Sequence, residues 1–198
     1  MYDRSAGLPY LPSLGSVDSQ LRMTDPIIQT ERLHLRLVTK QDVDDVFEIF
    51  GDAEAVRDYA NIKNLDGCAQ WIQKILDRYE RDGHGLWAVV LTDTGENIGQ
   101  CGMSVQAFRG WRELCLGWLF KRRHWGNGFA TEAAIACRDY ARHRSMASEL
   151  TSYIRPTNTR SIAVAKRVGM ECIANLSVDE SGFGEPISVY SVTLGAAQ

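Results

Sequence analysis

The stretch RHWGNGFATEA, residues 123–133, places two glycines directly before an alanine-rich helical pattern. A helix N-terminus exposes backbone N–H groups that have no acceptor within the helix, and it carries the positive end of the helix dipole. Gly126 and Gly128 lack the Cβ atoms that would keep an anion away from these groups. Arg123 adds positive charge at the entrance. The stretch therefore predicts a phosphate or pyrophosphate cradle.

An isolated G-x-G pattern also fits an ordinary turn before a helix, so its surroundings decide between interpretations. A P-loop requires a Gly-Lys pair, which the sequence lacks. A dinucleotide fingerprint requires Gly or Ala where Thr131 stands, and an acid at the end of the next strand. Glu149 lies at the right distance but opens its strand. Three strand patterns joined by short turns precede the glycines, which predicts an antiparallel meander and disfavours both nucleotide folds.

Hydrophobic periodicity on either side of this stretch predicts the element order β α α β β β α β α β β. Residues 32–38 alternate as the first strand, and Thr39 caps the first helix. Asn158 caps a short later helix that Gly169 ends in the C′ position. The predicted inward face of the first helix is Val43, Val46, Phe47 and Phe50.

This order describes one mixed α/β (α+β) domain, which we place at residues 26–198. Residues 1–25 are rich in Ser, Gly and Pro and show no periodicity, so we expect them to form a poorly ordered extension. At 198 residues the chain is long enough for one domain with a substantial core.

Composition narrows the classes of function. A net charge of −3 disfavours a nucleic-acid binder held by a whole-surface basic field. No apolar stretch approaches the roughly 20 residues of a membrane-spanning helix. The five cysteines show neither a C-x-x-C pair nor zinc-ligand spacing, so we expect reduced thiols, no metal and a cytoplasmic protein.

Several linked motifs resemble the GCN5-related N-acetyltransferase (GNAT) family, in its branch related to the ribosomal-protein N-terminal acetyltransferases. RHWGNG is similar to the family's pyrophosphate signature at Arg123, Gly126 and Gly128. IIQTERLHLRLV resembles the opening strand of this branch, and NTRSIAVAKRVGM resembles its later helix. The resemblance runs from about residue 27 to 194.

The resemblance implies a GNAT-type fold, with a central, mostly antiparallel sheet that contains one splayed pair of parallel strands. Acetyl-CoA would lie between the splayed strands LCLGWLF and LTSYI. A backbone N–H near Trp118 or Leu119 would polarise the thioester carbonyl. The implied cofactor-binding residues are Leu116, Trp118, Leu119, Phe120, Arg123, Gly126, Asn127, Gly128, Phe129, Ala130, Thr131, Asn158 and Ser161.

The same resemblance implies direct attack by an acceptor amine, with no protein nucleophile. Asn158 and Ser161, the N-x-x-S motif, would contact the cofactor as the catalytic pair, and Ser161 would donate a proton to the departing sulfur. A helix N-cap and its N3 neighbour account for these two residues equally well.

The general base stays open. Many relatives carry a glutamate where this chain has Cys115, and a tyrosine acid where it has Ala165. Glu113 is the nearest acidic substitute on the same strand face, although its place near a hairpin predicts a solvated residue. Tyr153 and Tyr190 also carry phenol groups, but neither belongs to a motif of the family.

These features predict an acetyl-CoA-dependent N-acetyltransferase that acts on the primary amine of a protein N-terminus or a small molecule. The alternative is a non-catalytic module that binds acyl-CoA as a sensor. We expect acceptor specificity from residues 43–63 and 181–186, and no nucleic-acid or membrane partner; a homodimer is left open.

Overall fold

The computed structural model describes residues 25–57, 64–108 and 111–195, so the predicted extension lies outside the described residues apart from Asp25. The α-helices are α1 (Val43–Phe50), α2 (Leu65–Asp82), α3 (Phe129–His143), α4 (Thr159–Val168) and α5 (Val178–Ser181). The strands are β1 (Ile28–Gln29), β2 (Leu33–Arg36), β3 (Leu86–Leu91), β4 (Asn97–Phe108), β5 (Trp111–Phe120), β6 (Glu149–Ile154), β7 (Glu171–Leu176) and β8 (Ile187–Thr193).

All eight strands form one sheet in the order β1-β2-β3-β4-β5-β6-β8-β7. Every neighbouring pair is antiparallel except β5 and β6, which run parallel and meet at the single bridge between Cys115 and Thr151. The predicted mixed fold, with a mostly antiparallel sheet and one splayed parallel pair, is confirmed. Because the pairing of β5 and β6 stops at one bridge, the sheet opens between them beyond it.

Helices cover both faces of the sheet. Cys137 of α3 lies 3.7 Å, sulfur to sulfur, from Cys101 of β4, which places α3 on one face. Trp71 of α2 donates its indole N–H to Gln100 of β4 at 2.9 Å on the other face. Since consecutive strand residues point to opposite faces, Gln100 and Cys101 show that α2 and α3 enclose the sheet from opposite sides.

Local capping chemistry explains the helix ends. Thr39 caps a 3₁₀ turn, Lys40–Asp42, that leads into α1. The Asn158 side chain accepts a hydrogen bond from the N–H of Ser161 at 3.0 Å, and Gly169 follows α4 in the left-handed conformation that favours glycine. Both predicted ends of α4 are therefore confirmed.

The predicted inward face of α1 is partly wrong. Val46 and Phe50 are buried, but Phe47 is 37% exposed, and Ile49 takes the expected inward place beside them. On α3, by contrast, Ala133, Ala134, Cys137 and Ala141 are fully buried, while Ala130 is partly exposed. In the described residues no helix combines the length and the hydropathy that a bilayer span requires.

Candidate active site

A cleft of about 730 Å³ opens where β5 and β6 separate. Trp118 and Leu119 both line it, and as consecutive strand residues they point to opposite faces of the sheet. The cleft therefore reaches through the opening from the α3 side toward the α1 and α2 side. Its volume falls in the range typical of small-molecule sites. The lining residues that the sequence predicted are Trp118, Leu119, Phe120, Gly126, Gly128, Phe129, Ala130, Thr131, Asn158 and Ser161.

Gly126 and Gly128 have the backbone geometry expected of the predicted cradle. Gly126 and Gly128 have φ angles of 80° and 82°, in the left-handed region where a side chain is strained. A Cβ added at Gly126 would meet no atom within 4 Å, so it would occupy open space of the cleft. Gly128 is the N-cap of α3 and has no side-chain cap, which leaves the amides of Phe129 and Ala130 turned toward that space.

The loop around the glycines is held in place by its own side chains. The Trp125 indole N–H donates to the Phe120 carbonyl at 2.9 Å, and the Asn127 amide donates to the carbonyls of His124 and Trp125. Arg32 donates to the Asn127 carbonyl at 3.1 Å. The Asn127 side chain thus braces the turn and does not line the cleft, so any contact with a ligand would come from its backbone.

Arg32 also fixes the start of α3. Its guanidinium pairs with Glu132 at 2.6 Å, and Thr30 donates to the same carboxylate. Burial alone would raise the pKa of Glu132, but the hydrogen bonds from Thr30 and Arg32 lower it below its ordinary value. The first turn of α3 is therefore anchored to the hairpin of β1 and β2.

Lys121, Arg122 and Arg123, which precede the glycines, do not line the cleft. Lys121 is buried and lies 2.7 Å from Asp45 and 2.9 Å from Glu48. Arg123 pairs with Glu48 and with Glu96. Acids of α1 and of the turn before β4 thus engage the Arg123 guanidinium. The predicted contact of Arg123 with a pyrophosphate stays a prediction.

Two arginines that sequence reasoning missed line the cleft instead. Arg160 stacks on the Trp125 ring, 4.2 Å from guanidinium carbon to ring centroid, and pairs with Glu54 at 3.0 Å. Arg167 lines the same cleft from the last turn of α4. The sequence did contain a signal for Arg160. A cation in the first turn of a helix is unfavourable next to the helix dipole, so its presence there suggests a role other than helix stabilisation.

Asn158 and Ser161 lie together on the cleft wall formed by α4. Both are largely buried, with exposed fractions of 7% and 8%. The Asn158 amide oxygen caps the helix through the Ser161 N–H, so this side chain positions the turn whatever else it contacts. Leu116, the remaining predicted binding residue, lies deeper in β5 and does not line the cleft.

The edge of β5 that faces the opening can be identified from its hydrogen bonds. The Ser152 hydroxyl donates to the Leu116 carbonyl at 2.8 Å, which shows that Leu116 turns its polar backbone toward β6. The Phe120 carbonyl points to the same side, since it accepts a hydrogen bond from the Trp125 indole in the loop beside the cleft. The backbone N–H and C=O groups of successive strand residues point alternately to the two edges of the strand. Trp118 therefore directs its backbone N–H and C=O toward the opening, and Leu119 directs its own toward β4.

An acidic residue is buried on the face of the sheet that lies opposite α3. Glu113 is 2% exposed and accepts a hydrogen bond from the Tyr153 hydroxyl at 2.6 Å. Its expected place as a solvated hairpin residue is wrong, because Tyr153 of the neighbouring strand covers it. Two residues along the same face, the Cys115 sulfur lies 3.1 Å from the Thr151 hydroxyl. Sequence reasoning could not pair Glu113 with Tyr153, which is distant in the chain.

A buried amide group beside the cleft has an unsatisfied donor nitrogen. Gln100 is 2% exposed and is the cross-strand partner of Leu119. Its side-chain oxygen accepts from the Trp71 indole, which fixes the orientation of the amide, and its Nε2 has no partner among the described residues. The sequence suggested no role for this position.

Comparisons with known proteins agree with this architecture. Residues 32–171 match the family model described as acetyltransferase (GNAT) domain. A protein from Bacillus subtilis named YkkB and described as uncharacterized is 33% identical over 162 residues, which cover 81% of this chain and 92% of that protein.

Solved structures share the fold. An acetyltransferase from Agrobacterium tumefaciens has a TM-score of 0.69 at 31% identity and covers 87% of this chain and 96% of its own. RimL, a ribosomal L7/L12 α-N-protein acetyltransferase in complex with coenzyme A, has a TM-score of 0.73 at 14% identity, with 87% and 100% covered. At that identity, RimL supports the fold alone.

Proposed function

The chain belongs to the GNAT acetyltransferase family, and on this premise we propose that it transfers the acetyl group of acetyl-CoA to a primary amine. The observation that carries the proposal is the cleft at the opening of β5 and β6. One cleft brings together the glycine turn, the start of α3, the Trp118 edge of β5 and the pair Asn158 and Ser161. The RimL structure binds coenzyme A on the same fold.

The residues present fit the coenzyme. At Gly126 the space that a Cβ would take is open, and the amides that follow are directed at it, as a pyrophosphate requires. Arg160 and Arg167 supply positive charge at the same wall. The pantetheine chain would extend along the Trp118 edge of β5 in the manner of an added strand.

Acetyl-CoA supplies a reactive thioester, and the chain positions it. A new bond forms between the amine nitrogen and the acetyl carbon, the carbon–sulfur bond breaks, the nitrogen loses a proton and the sulfur gains one. The Trp118 N–H is directed where it can donate to the acetyl oxygen as negative charge develops. We assign the proton for sulfur to Ser161, which sits on the cleft wall opposite β5.

The test combines coenzyme binding with an acceptor screen. Coenzyme A affinity is measured by calorimetry, and free thiol is followed with acetyl-CoA and a panel of peptides, polyamines, amino acids and aminoglycosides. The proposal predicts coenzyme binding and thiol release with at least one amine. Tight binding with no thiol release for any amine would support the acyl-CoA sensor, and absence of binding would refute both.

Two further expectations belong with this proposal. A homodimer would be detected by light scattering of the purified protein, and a monomer would exclude it. A cytoplasmic location would be detected by fractionation of the source cells.

A further inference from the structure

An arginine without a partner lies on α2, away from the coenzyme wall. Arg78 makes no hydrogen bond, ion pair or ring contact with any residue that the structure describes, although its side chain is partly buried. Every other described arginine has a carboxylate or an aromatic ring beside it, apart from Arg167 in the cleft. A partly buried guanidinium whose N–H donors are not used by the protein is able to bind an anionic ligand.

The helix places Arg78 over β5. Trp71 precedes it by seven residues, which puts both on one side of α2, and Trp71 contacts Gln100 beside Leu119 of the cleft. Seven helical residues advance about 10 Å, and the four strand residues from Leu119 to Cys115 span about 13 Å. Arg78 therefore lies near the level of Cys115, and the electrostatic interaction between these two side chains agrees with that position.

The sheet face beneath Arg78 carries buried polar side chains and continues along β5 to Leu119, which lines the cleft. Cys115 and Glu113 share the sheet face of Leu119, on the side where α2 packs. Glu113 is held by Tyr153, whose ring contacts Phe183 with 5.4 Å between ring centroids. Trp71 of α2 and Tyr153 of β6 thus mark the two ends of the strip of β5 that runs from Leu119 to Glu113.

Burial, together with the nearby Arg81, lowers the pKa of Arg78, and Asp82 and Cys115 oppose this effect only in part. The fold therefore leaves the guanidinium charge incompletely compensated. A guanidinium binds carboxylate and phosphate groups through two parallel N–H donors, which gives both affinity and orientation.

We propose that Arg78 binds an anionic group of the acceptor, so that the acceptor is a primary amine that also carries a carboxylate or a phosphate. This inference rests on the proposed function, because it places the amine at the Trp118 end of the cleft and the anion at Arg78. Trp118 and Cys115 are three residues, or about 10 Å, apart along β5, so the two groups are separated by a short chain.

The experiment compares acceptors that differ only in charge. Straight-chain ω-amino acids of graded length are assayed beside their carboxamides and the matching aminoalkyl phosphates, with thiol release as readout. We expect kcat/KM for an acid to exceed that for its amide at least tenfold. Arg78→Gln is expected to bring this ratio close to one by raising KM for the acid, and Arg78→Lys to restore part of it. The phosphate arm shows which anion is preferred.

Lys74→Gln is the matched control, because Lys74 is exposed on α2 one turn before Arg78. It should leave the ratio unchanged, and no variant should change KM for acetyl-CoA. Thiol release without preference for an anionic acceptor, or a preference that Arg78→Gln retains, would overturn this inference and leave the proposed function standing.

A binding measurement covers the case of slow turnover. N-acetylated ω-amino acids are titrated into the coenzyme A complex, and we expect at least tenfold tighter binding than for their carboxamides, with the difference lost in Arg78→Gln. Equal binding of acid and amide would overturn the inference. Failure of coenzyme A itself to bind would overturn the proposed function, and the inference with it.

Discussion

Substituting alanine at Gly126 tests the cradle, because its effect on stability and its effect on the ligand can be separated. Gly126 has a φ of 80°, where an L-residue costs about 1–2 kcal/mol. For a chain of this size that loss corresponds to a fall in Tm of roughly 2–8 °C. The new Cβ would also occupy the open space of the cleft, since no atom lies within 4 Å of its position.

The expected loss of coenzyme-binding free energy is similar in size to the loss of stability, but it is specific to this site. A Cβ that pushes the pyrophosphate off one backbone N–H removes a hydrogen bond to a charged group, worth about 1.5–3 kcal/mol. Coenzyme A affinity should therefore fall roughly ten- to 150-fold. Calorimetric titration of coenzyme A measures the affinity, and thermal unfolding without ligand measures the stability.

Gly95→Ala is the matched control. Gly95 has a φ of 73°, its Cβ would also meet nothing within 4 Å, and it lies in the turn between β3 and β4, outside the cleft. It should lower Tm as much as Gly126→Ala and leave coenzyme affinity unchanged. Equal affinity of both variants and the parent, with the expected fall in Tm, would refute the cradle.

Three further substitutions test other parts of the account. Ser161→Ala should lower kcat about tenfold or more with little change in coenzyme affinity, and an unchanged rate would remove Ser161 as the proton donor. Asn158→Ala should cost about 1 kcal/mol in urea unfolding through loss of the helix cap, most of which Asn158→Ser should restore; equal stability of the two would contradict the capping role. Burial lowers the pKa of His84 against the opposing hydrogen bond to Met103, so the unfolded chain takes up the proton more readily and stability should fall as pH drops below about 6.5. His84→Gln should reduce that slope in Tm against pH, and the exposed-site control His143→Gln should keep it.

Local patterns were enough to predict the elements that position the cleft. The alanine face of α3 and the cap and C′ glycine of α4 depend on residues within one or two turns, so the sequence carries them directly. The short helix α5 also has a local signal, because Ser177 and Glu180 form a capping box, although its four residues are too few to show helical periodicity.

Contacts between distant segments decide where Arg123 and Glu113 lie. Arg123 turns away from the cleft because Glu48 and Glu96 meet it there, and Glu113 is buried because Tyr153 closes over it. None of these three partners is near in sequence to the side chain that it contacts. The predicted specificity region of residues 43–63 is described only to residue 57, and that of residues 181–186 contributes Phe183 beside Tyr153.

A crystal structure with bound acetyl-CoA would show directly whether the coenzyme occupies the opening between β5 and β6. We predict the pyrophosphate within hydrogen-bond distance of the backbone N–H groups between Gly126 and Thr131, and the acetyl oxygen at the Trp118 N–H. Coenzyme bound outside the opening of β5 and β6, or with its pyrophosphate held by Arg122 and Arg123 in place of those amides, would contradict the account.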